Sequence, residues 1–216
     1  MRDRQFDRPG GPGNLTELLA LPGVIEHVEL RSRFGFMAIH GGDLELTTDA
    51  IAATAAAQAG ASYYGVVYPV GLDRHLASSR YRRDESPALD SFLDHVDAVV
   101  SIHGYGREGL WTSLLLGGGN RSLAEMLAAE LSDRLPGYEM VTDLDDIPVA
   151  LRGTNSSNPV NVATSGGVQL ELPPRVRGHS PFSPPPGPDG FSPPTRALID
   201  GLATVAENWL DRESAA

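Results

Sequence analysis

Phe34-Gly35-Phe36-Met37-Ala38-Ile39-His40-Gly41-Gly42 is an apolar run that stops at a histidine followed by glycine, and Ala98-Val99-Val100-Ser101-Ile102-His103-Gly104 ends the same way. Continuously apolar runs are the mark of strands covered on both faces, as in a largely parallel sheet between helices. A strand that ends on histidine and turns on glycine delivers the imidazole to the rim of the sheet, where open α/β folds keep their ligand crevice. Glu45 lies in the loop that follows His40. Two neutral nitrogen donors and one carboxylate form the ligand set of a catalytic zinc site, with the fourth position left for water.

A single histidine ending an apolar run is more often a structural residue bonded to a nearby carbonyl, because a buried imidazole needs a partner. Two of them, ending two core strands with the same glycine successor, turn the reading to metal ligation. Glu45 by itself reads as a loop acid or as a charge near a helix N-terminus. Its offset from His40 makes it the third ligand.

Outward from these strands the pattern alternates between strands and helices. Asn14 caps a short helix from Thr16 to Ala20, and Val24 to Leu30 alternates as a half-exposed strand. Thr47 or Thr48 caps an alanine-rich helix from Ala50 to Ala59, followed by a strand over Ser62 to Tyr68 and a helix over Pro87 to Val96. Strands at Leu110 to Leu116 and Tyr138 to Val141 flank a helix from Ser122 to Leu135, and Gly167 to Leu172 is a final alternating strand. We expect a single α/β domain with a mixed, mostly parallel central sheet flanked by helices. A disordered start covers 1–13, the domain 14–179, a proline-rich loop 180–194, and a C-terminal segment 195–213 forms a helix (Thr195 to Arg212) packed on the same domain.

The chain has 216 residues and a formal charge of −11, so its surface would repel a phosphate backbone. Nucleic acid is not an expected partner. All 17 basic residues are arginine, which removes Schiff-base and P-loop lysine chemistry, and without cysteine there are no thiolate sites or disulfides. No apolar leader or spanning segment is read at the N-terminus, so the protein is expected to be cytoplasmic, with no membrane partner. Its oligomeric state is left open.

In the strand 167–172 the alternation puts Gln169 and Glu171 on one face. Turned toward the crevice, Glu171 is the natural general base, because metal-assisted hydrolysis needs a carboxylate that is not itself a ligand. The bland alternative is an ordinary exposed strand face. His75 reads as a residue that supports the ligands or contacts substrate, whereas His27, His95 and His179 carry no functional signal. Arginines near the site, Arg80 among them, would hold an anionic substrate by pairing with its carboxylates. Gly117-Gly118-Gly119 between a strand and a helix is either a tight turn or an anion-binding one.

The segments Ala38-Ile39-His40-Gly41-Gly42-Asp43-Leu44-Glu45, His75-Leu76-Ala77-Ser78, Ser101-Ile102-His103-Gly104, Gly117-Gly118, Gly153-Thr154-Asn155 with Asn158 and Asn161, and Gly167 to Leu172 closing on Arg177 recur in that order. Together they resemble the poly-γ-glutamate hydrolase family, zinc enzymes best known from bacteriophages and related in fold to carboxypeptidase-type metallopeptidases. The resemblance implies a zinc-carboxypeptidase-like fold, zinc on His40, Glu45 and His103, and Glu171 as the catalytic carboxylate. On this footing Arg177 is expected to steady the oxyanion or a substrate carboxylate, and His75, Ser78, Asn158, Asn161 and Arg80 to contact substrate. Ile39 stands where the pattern has proline, and Arg74 and Ala77 where it has leucine and threonine. These departures spare the metal site and leave the substrate open.

The expectation is therefore a zinc-dependent amide hydrolase acting on a small or polymeric anionic substrate with a γ-glutamyl or related acyl-amino acid bond. Two rivals stand beside it: a non-catalytic binding domain that keeps the fold, and a phosphate- or nucleotide-binding α/β protein using Gly117 to Gly119.

Overall fold

Strands that are apolar at successive positions need cover on both faces, and helices supply it on each side of one sheet. The computed structural model describes residues 12–214. In chain order the elements are α1 (Leu15–Leu19), β1 (Ile25–Glu29), β2 (Phe34–Gly42), α2 (Thr48–Ala59), β3 (Ser62–Tyr68), α3 (Pro87–His95), β4 (Ala98–Gly104), β5 (Ser113–Leu116), α4 (Arg121–Arg134), β6 (Glu139–Val141), β7 (Gly167–Leu172) and α5 (Pro193–Ser214). The seven strands form one sheet in the order β1-β3-β2-β4-β7-β5-β6. β1 against β3 and β5 against β7 are antiparallel, and the other neighbours are parallel.

Alternation assigns each strand residue to a layer. Phe34, Phe36 and Ala38 of β2, with Ala98, Val100 and Ile102 of β4 and Val168, Leu170 and Leu172 of β7, face α2, α4 and α5. The C-terminal helix belongs to this core: Leu198, Ile199, Leu202 and Ala206 are buried, and the Trp209 ring meets Phe34 edge-on with centroids 5.5 Å apart. Met37, Ile39 and Val99 face the other way, toward Leu15 and Leu18 of α1 and Leu89 and Phe92 of α3.

From β2 the chain passes through α2 to β3 on one side, then through α3 back across to β4 on the other. The carboxyl ends of β2 and β4 thus flank the point where the connections diverge, the usual place for a crevice in such sheets.

The helix starts follow their caps. Asn14, Ser86 and Asn120 accept from the amides of Glu17, Leu89 and Leu123. Thr47 is different: it sits at φ 76° and makes no side-chain cap bond, while the Thr48 hydroxyl donates to the Glu45 carbonyl at 2.7 Å. The expected strand at 110–116 shortens to β5, because the chain turns ahead of Ser113: the Leu110 amide donates to the Arg107 carbonyl, the Ser113 amide to the Leu110 carbonyl, and the Tyr105 hydroxyl donates to the Leu110 carbonyl. α5 starts at Pro193, ahead of the expected Thr195, since proline fits the first turn of a helix. Most of the expected disordered start lies outside the described residues. Gly13, which is inside them, donates its amide to Glu17 and receives an Arg80 bond on its carbonyl. Among the described residues no helix is long and apolar enough to cross a membrane.

Candidate metal centre

The ligands converge for local reasons. The register of β2 against β3 shifts between Ala38 and Gly41, and its pairing with β4 ends at Met37. His40 therefore leaves the ladder just before the chain turns on Gly42, at φ 69°. The turn brings the Glu45 amide back to the His40 carbonyl at 2.9 Å. Glu45 Oε1 then lies 2.9 Å from His40 Nδ1, while Oε2 accepts the Gly104 amide at 2.8 Å and lies 3.3 Å from His103 Nδ1. All three side chains are buried, and one ligand atom from each falls within 4.8 Å of the others.

Burial would raise the Glu45 carboxyl, but the charges of His40 and His103 and their hydrogen bonds outweigh it and hold the group well below the usual carboxylate range. Burial opposes charge on His103 too, yet Glu45 beside it lifts its pKa. His40 Nε2 lies 2.9 Å from the Leu76 carbonyl. That oxygen only accepts, so Nε2 carries a proton, and once Nδ1 gives up its own proton its lone pair faces the Glu45 carboxylate. A proton or a metal ion can fill the 2.9 Å between that nitrogen and the Glu45 oxygen. His103 Nε2 is buried without a hydrogen bond. The donor set, its mutual approach and the carbonyl that orients His40 all fit a divalent metal on His40, Glu45 and His103. Tyr68 and Tyr81 wall the His40 ring edge-on, and the Tyr81 hydroxyl donates to the Ile39 carbonyl at 2.7 Å.

A cavity of about 340 Å³ opens over the ligands. His103 pairs with Glu171 and Ser101 with Gln169 across the parallel β4–β7 ladder, so their side chains share one face. That face is covered: Gln169 and Glu171 are each 4% exposed, which removes the exposed-strand alternative. Burial raises the Glu171 carboxyl to about 7, against the pull of His103 and with Glu45 adding to the rise. The His75 ring stands 4.6 Å from the His40 ring on the cavity wall, and burial, then the neighbouring His40, lower its pKa to about 3.

His75, Ser78 and Asn158 line the cavity, together with Thr154, Asn155 and Leu151. Arg177 does not. Its guanidinium donates to the carbonyls of Leu46 at 2.8 Å, Leu172 at 3.2 Å and Tyr105 at 3.4 Å. These residues directly follow Glu45 and Glu171 and lie just beyond His103, so the arginine staples the ends of the three segments that carry the site. It passes over Gly104, where a Cβ would stand 2.7 Å from Cζ. Arg80 points away, to the Gly13 carbonyl at 3.0 Å. Asn161 donates to the Gly153 and Asn155 carbonyls and accepts the Gly119 amide, which fixes the cavity rim from behind.

The glycine turn does not serve an anion. The amides of Gly117, Gly118 and Gly119 donate to the Gln169 carbonyl, the Arg152 carbonyl and Asn161 Oδ1, so the phosphate-binding alternative has no free donors there. The sequence signals also passed over Leu76, Tyr68 and Tyr81. The first acts through its carbonyl, which no residue type announces, and the tyrosines read as ordinary core.

The family model described as poly-gamma-glutamate hydrolase matches residues 17–181. Among solved structures, a bacteriophage poly-gamma-glutamate hydrolase superposes with a TM-score of 0.70 at 21% identity, over 90% of this chain and 94% of that one. A protein described as YNDL-apo, zinc-free, gives 0.65 at 22% identity over 88% and 90%, and gene product Atu2144 from Agrobacterium tumefaciens gives 0.53 at 11% over 88% and 96%. No curated protein matches the chain in sequence. The structural likenesses speak to the fold, whereas the family match spans most of the chain and includes His40, Glu45, His103 and Glu171. The chain therefore belongs to the poly-γ-glutamate hydrolase family.

Proposed function

We propose that the protein is a zinc-dependent amide hydrolase that cleaves γ-glutamyl bonds in a polymeric or smaller anionic substrate. The observation that carries the reading is the β4–β7 register, in which the ligand His103 is paired with a buried carboxylate, Glu171, outside the ligand set. When bound, zinc supplies a water of lowered pKa and polarises the scissile carbonyl. Glu171, a buried carboxylate outside the ligand set, takes a proton from the attacking water and passes it to the leaving amine nitrogen. Glu45 stays ionised as a ligand because the charge of a bound metal and the Gly104 amide on its Oε2 both favour the carboxylate. Neutral His75, with Ser78 and Asn158, lines the space where substrate lies. Arg177 contributes from behind, by keeping the three site segments in register.

Release of amine from a panel of γ-glutamyl and α-glutamyl substrates tests the proposal, with Glu171→Gln as the companion variant. The zinc-loaded protein should hydrolyse γ-linked members. The variant should keep its zinc and lose at least about 100-fold in turnover, the scale of general acid–base catalysis. A fully active Glu171→Gln protein would take this residue out of the mechanism, and no hydrolysis across the panel would overturn the substrate assignment.

A further inference from the structure

Gln169 shares the buried face of β7 with Glu171 and has no part in the reaction as described so far. A buried primary amide is costly unless its donors and its acceptor are met. Gln169 Nε2 donates to Glu171 Oε1 at 2.9 Å and to the Leu151 carbonyl at 3.3 Å, and its Oε1 accepts from Asn158 Nδ2 at 2.8 Å. Asn158 Oδ1 in turn accepts the Val160 amide at 3.3 Å, capping the short turn Pro159–Asn161. Both amides are buried, at 3% exposure for Asn158 and 4% for Gln169.

The direction of this chain is set from both ends by backbone. The Leu151 carbonyl can only accept and the Val160 amide can only donate, so turning either side-chain amide over would oppose like partners. Gln169 consequently offers an N–H to Glu171 and not its carbonyl. It also has no room to swing aside: a Cβ on Gly153 would stand 2.5 Å from Gln169 Cβ and 2.6 Å from its Oε1. Asn161 locks that loop by holding the Gly153 and Asn155 carbonyls.

We propose that Gln169, oriented by Asn158, is a positioning residue that occupies Glu171 Oε1 and makes Oε2 the oxygen that exchanges the proton. The proposal rests on the reading of Glu171 as general base. In the first half of the reaction the water oxygen bonds the amide carbonyl carbon as one of its O–H bonds breaks and the Oε2–H bond forms. In the second half the Oε2–H bond breaks and an N–H bond forms as the C–N bond breaks and frees the amine and the carboxylate, which balances the proton with no further reagent. Oε1 is held out of this exchange because protonating it would set hydrogen against hydrogen at Gln169 Nε2.

Two variants and two readouts test it. Gln169→Leu removes the donor. Asn158→Asp keeps the shape and the cap on Val160 but sets a carboxylate oxygen against Gln169 Oε1, so the Gln169 amide loses the donor that holds it and its N–H to Glu171 loosens. Each should lower kcat about 10- to 100-fold, as expected when the group orienting an active residue is lost. In Gln169→Leu, which adds no charge, KM should stay within about threefold, the split that marks an interaction made in the transition state. Zinc content should be unchanged. The double variant should fall no lower than Gln169→Leu, because the two residues act through one path. Wild-type kcat in both single variants, or losses that multiply in the double, would overturn the proposal.

Independently of activity, the Gln169 side-chain NH₂ signals in NMR spectra of the metal-free protein should be protected from exchange and should move in Asn158→Asp. Unprotected or unmoved signals overturn the relay alone. A wild type inactive on every amide, with the NMR signature intact, overturns the hydrolase reading and the proton role that depends on it.

Discussion

Replacing Arg177 with methionine asks whether its guanidinium serves the architecture or the substrate. Methionine fills much of the same space and donates nothing. The Leu172 carbonyl would keep the Tyr105 amide at 3.1 Å, so the Leu46 and Tyr105 carbonyls are the ones left bare. Tyr105 is buried while Leu46 is at the surface. With about 1–3 kcal/mol for each buried group left unsatisfied, and Leu46 at the low end, the loss comes to about 3 kcal/mol. In a domain of this size 1 kcal/mol moves Tm by roughly 2–4 °C, so the variant should melt about 6–12 °C lower. Relief from burying a charge, which already lowers the arginine's own pKa, trims that figure without reversing it. Calorimetry of metal-free and zinc-loaded protein measures the shift, and kinetics far below Tm show what remains of turnover. A variant with wild-type Tm and collapsed kcat/KM would refute the staple and return Arg177 to the substrate.

His103→Ala should abolish stoichiometric zinc binding, read by metal analysis after dialysis; undiminished zinc would contradict its place in the ligand set. Glu171 supplies a pH dependence with a defined sign in the metal-free protein. Its carboxyl is raised from 4.5 to about 7, so its contribution to stability is complete below 4.5 and is lost as pH rises through 7. At 1.36 kcal/mol per unit that is about 3 kcal/mol, and Glu171→Gln should gain this much on wild type across the window in denaturant melts. Parallel curves for the two proteins would show that Glu171 is not shifted. Because the glycine turn uses its amides internally, inorganic phosphate should leave Tm unchanged. A specific, saturable rise would reopen the anion-site reading.

The ligand cluster was legible because its signals are local. An apolar run that ends in His-Gly names both a buried strand and its rim, and Glu45 is close enough in sequence to His40 to share one turn. Glu171 was half legible: alternation put it on a face with Gln169 but could not say what covers that face. The answer depends on β7 inserting between β4 and β5, a long-range pairing. The contacts of Arg177 were not legible for a related reason. Its three acceptors are backbone carbonyls from separate segments, and a carbonyl leaves no trace in residue type. Gln169 looked like the polar half of an alternating strand, and only its two fixed neighbours, Asn158 and Leu151, distinguish it from one. Thr47 shows the same limit in miniature, since a residue suited to cap a helix instead takes a left-handed turn while Thr48 bonds the Glu45 carbonyl.

The central claim is that His40, Glu45 and His103 hold one zinc that hydrolysis requires. Its most direct test measures bound zinc and γ-glutamyl hydrolysis on the same sample through removal of metal by a chelator and back-titration. The account predicts that activity vanishes with the metal and returns in proportion, reaching its maximum at one zinc per chain. Hydrolysis that persists in the zinc-free protein, or zinc that returns without restoring it, would contradict the account.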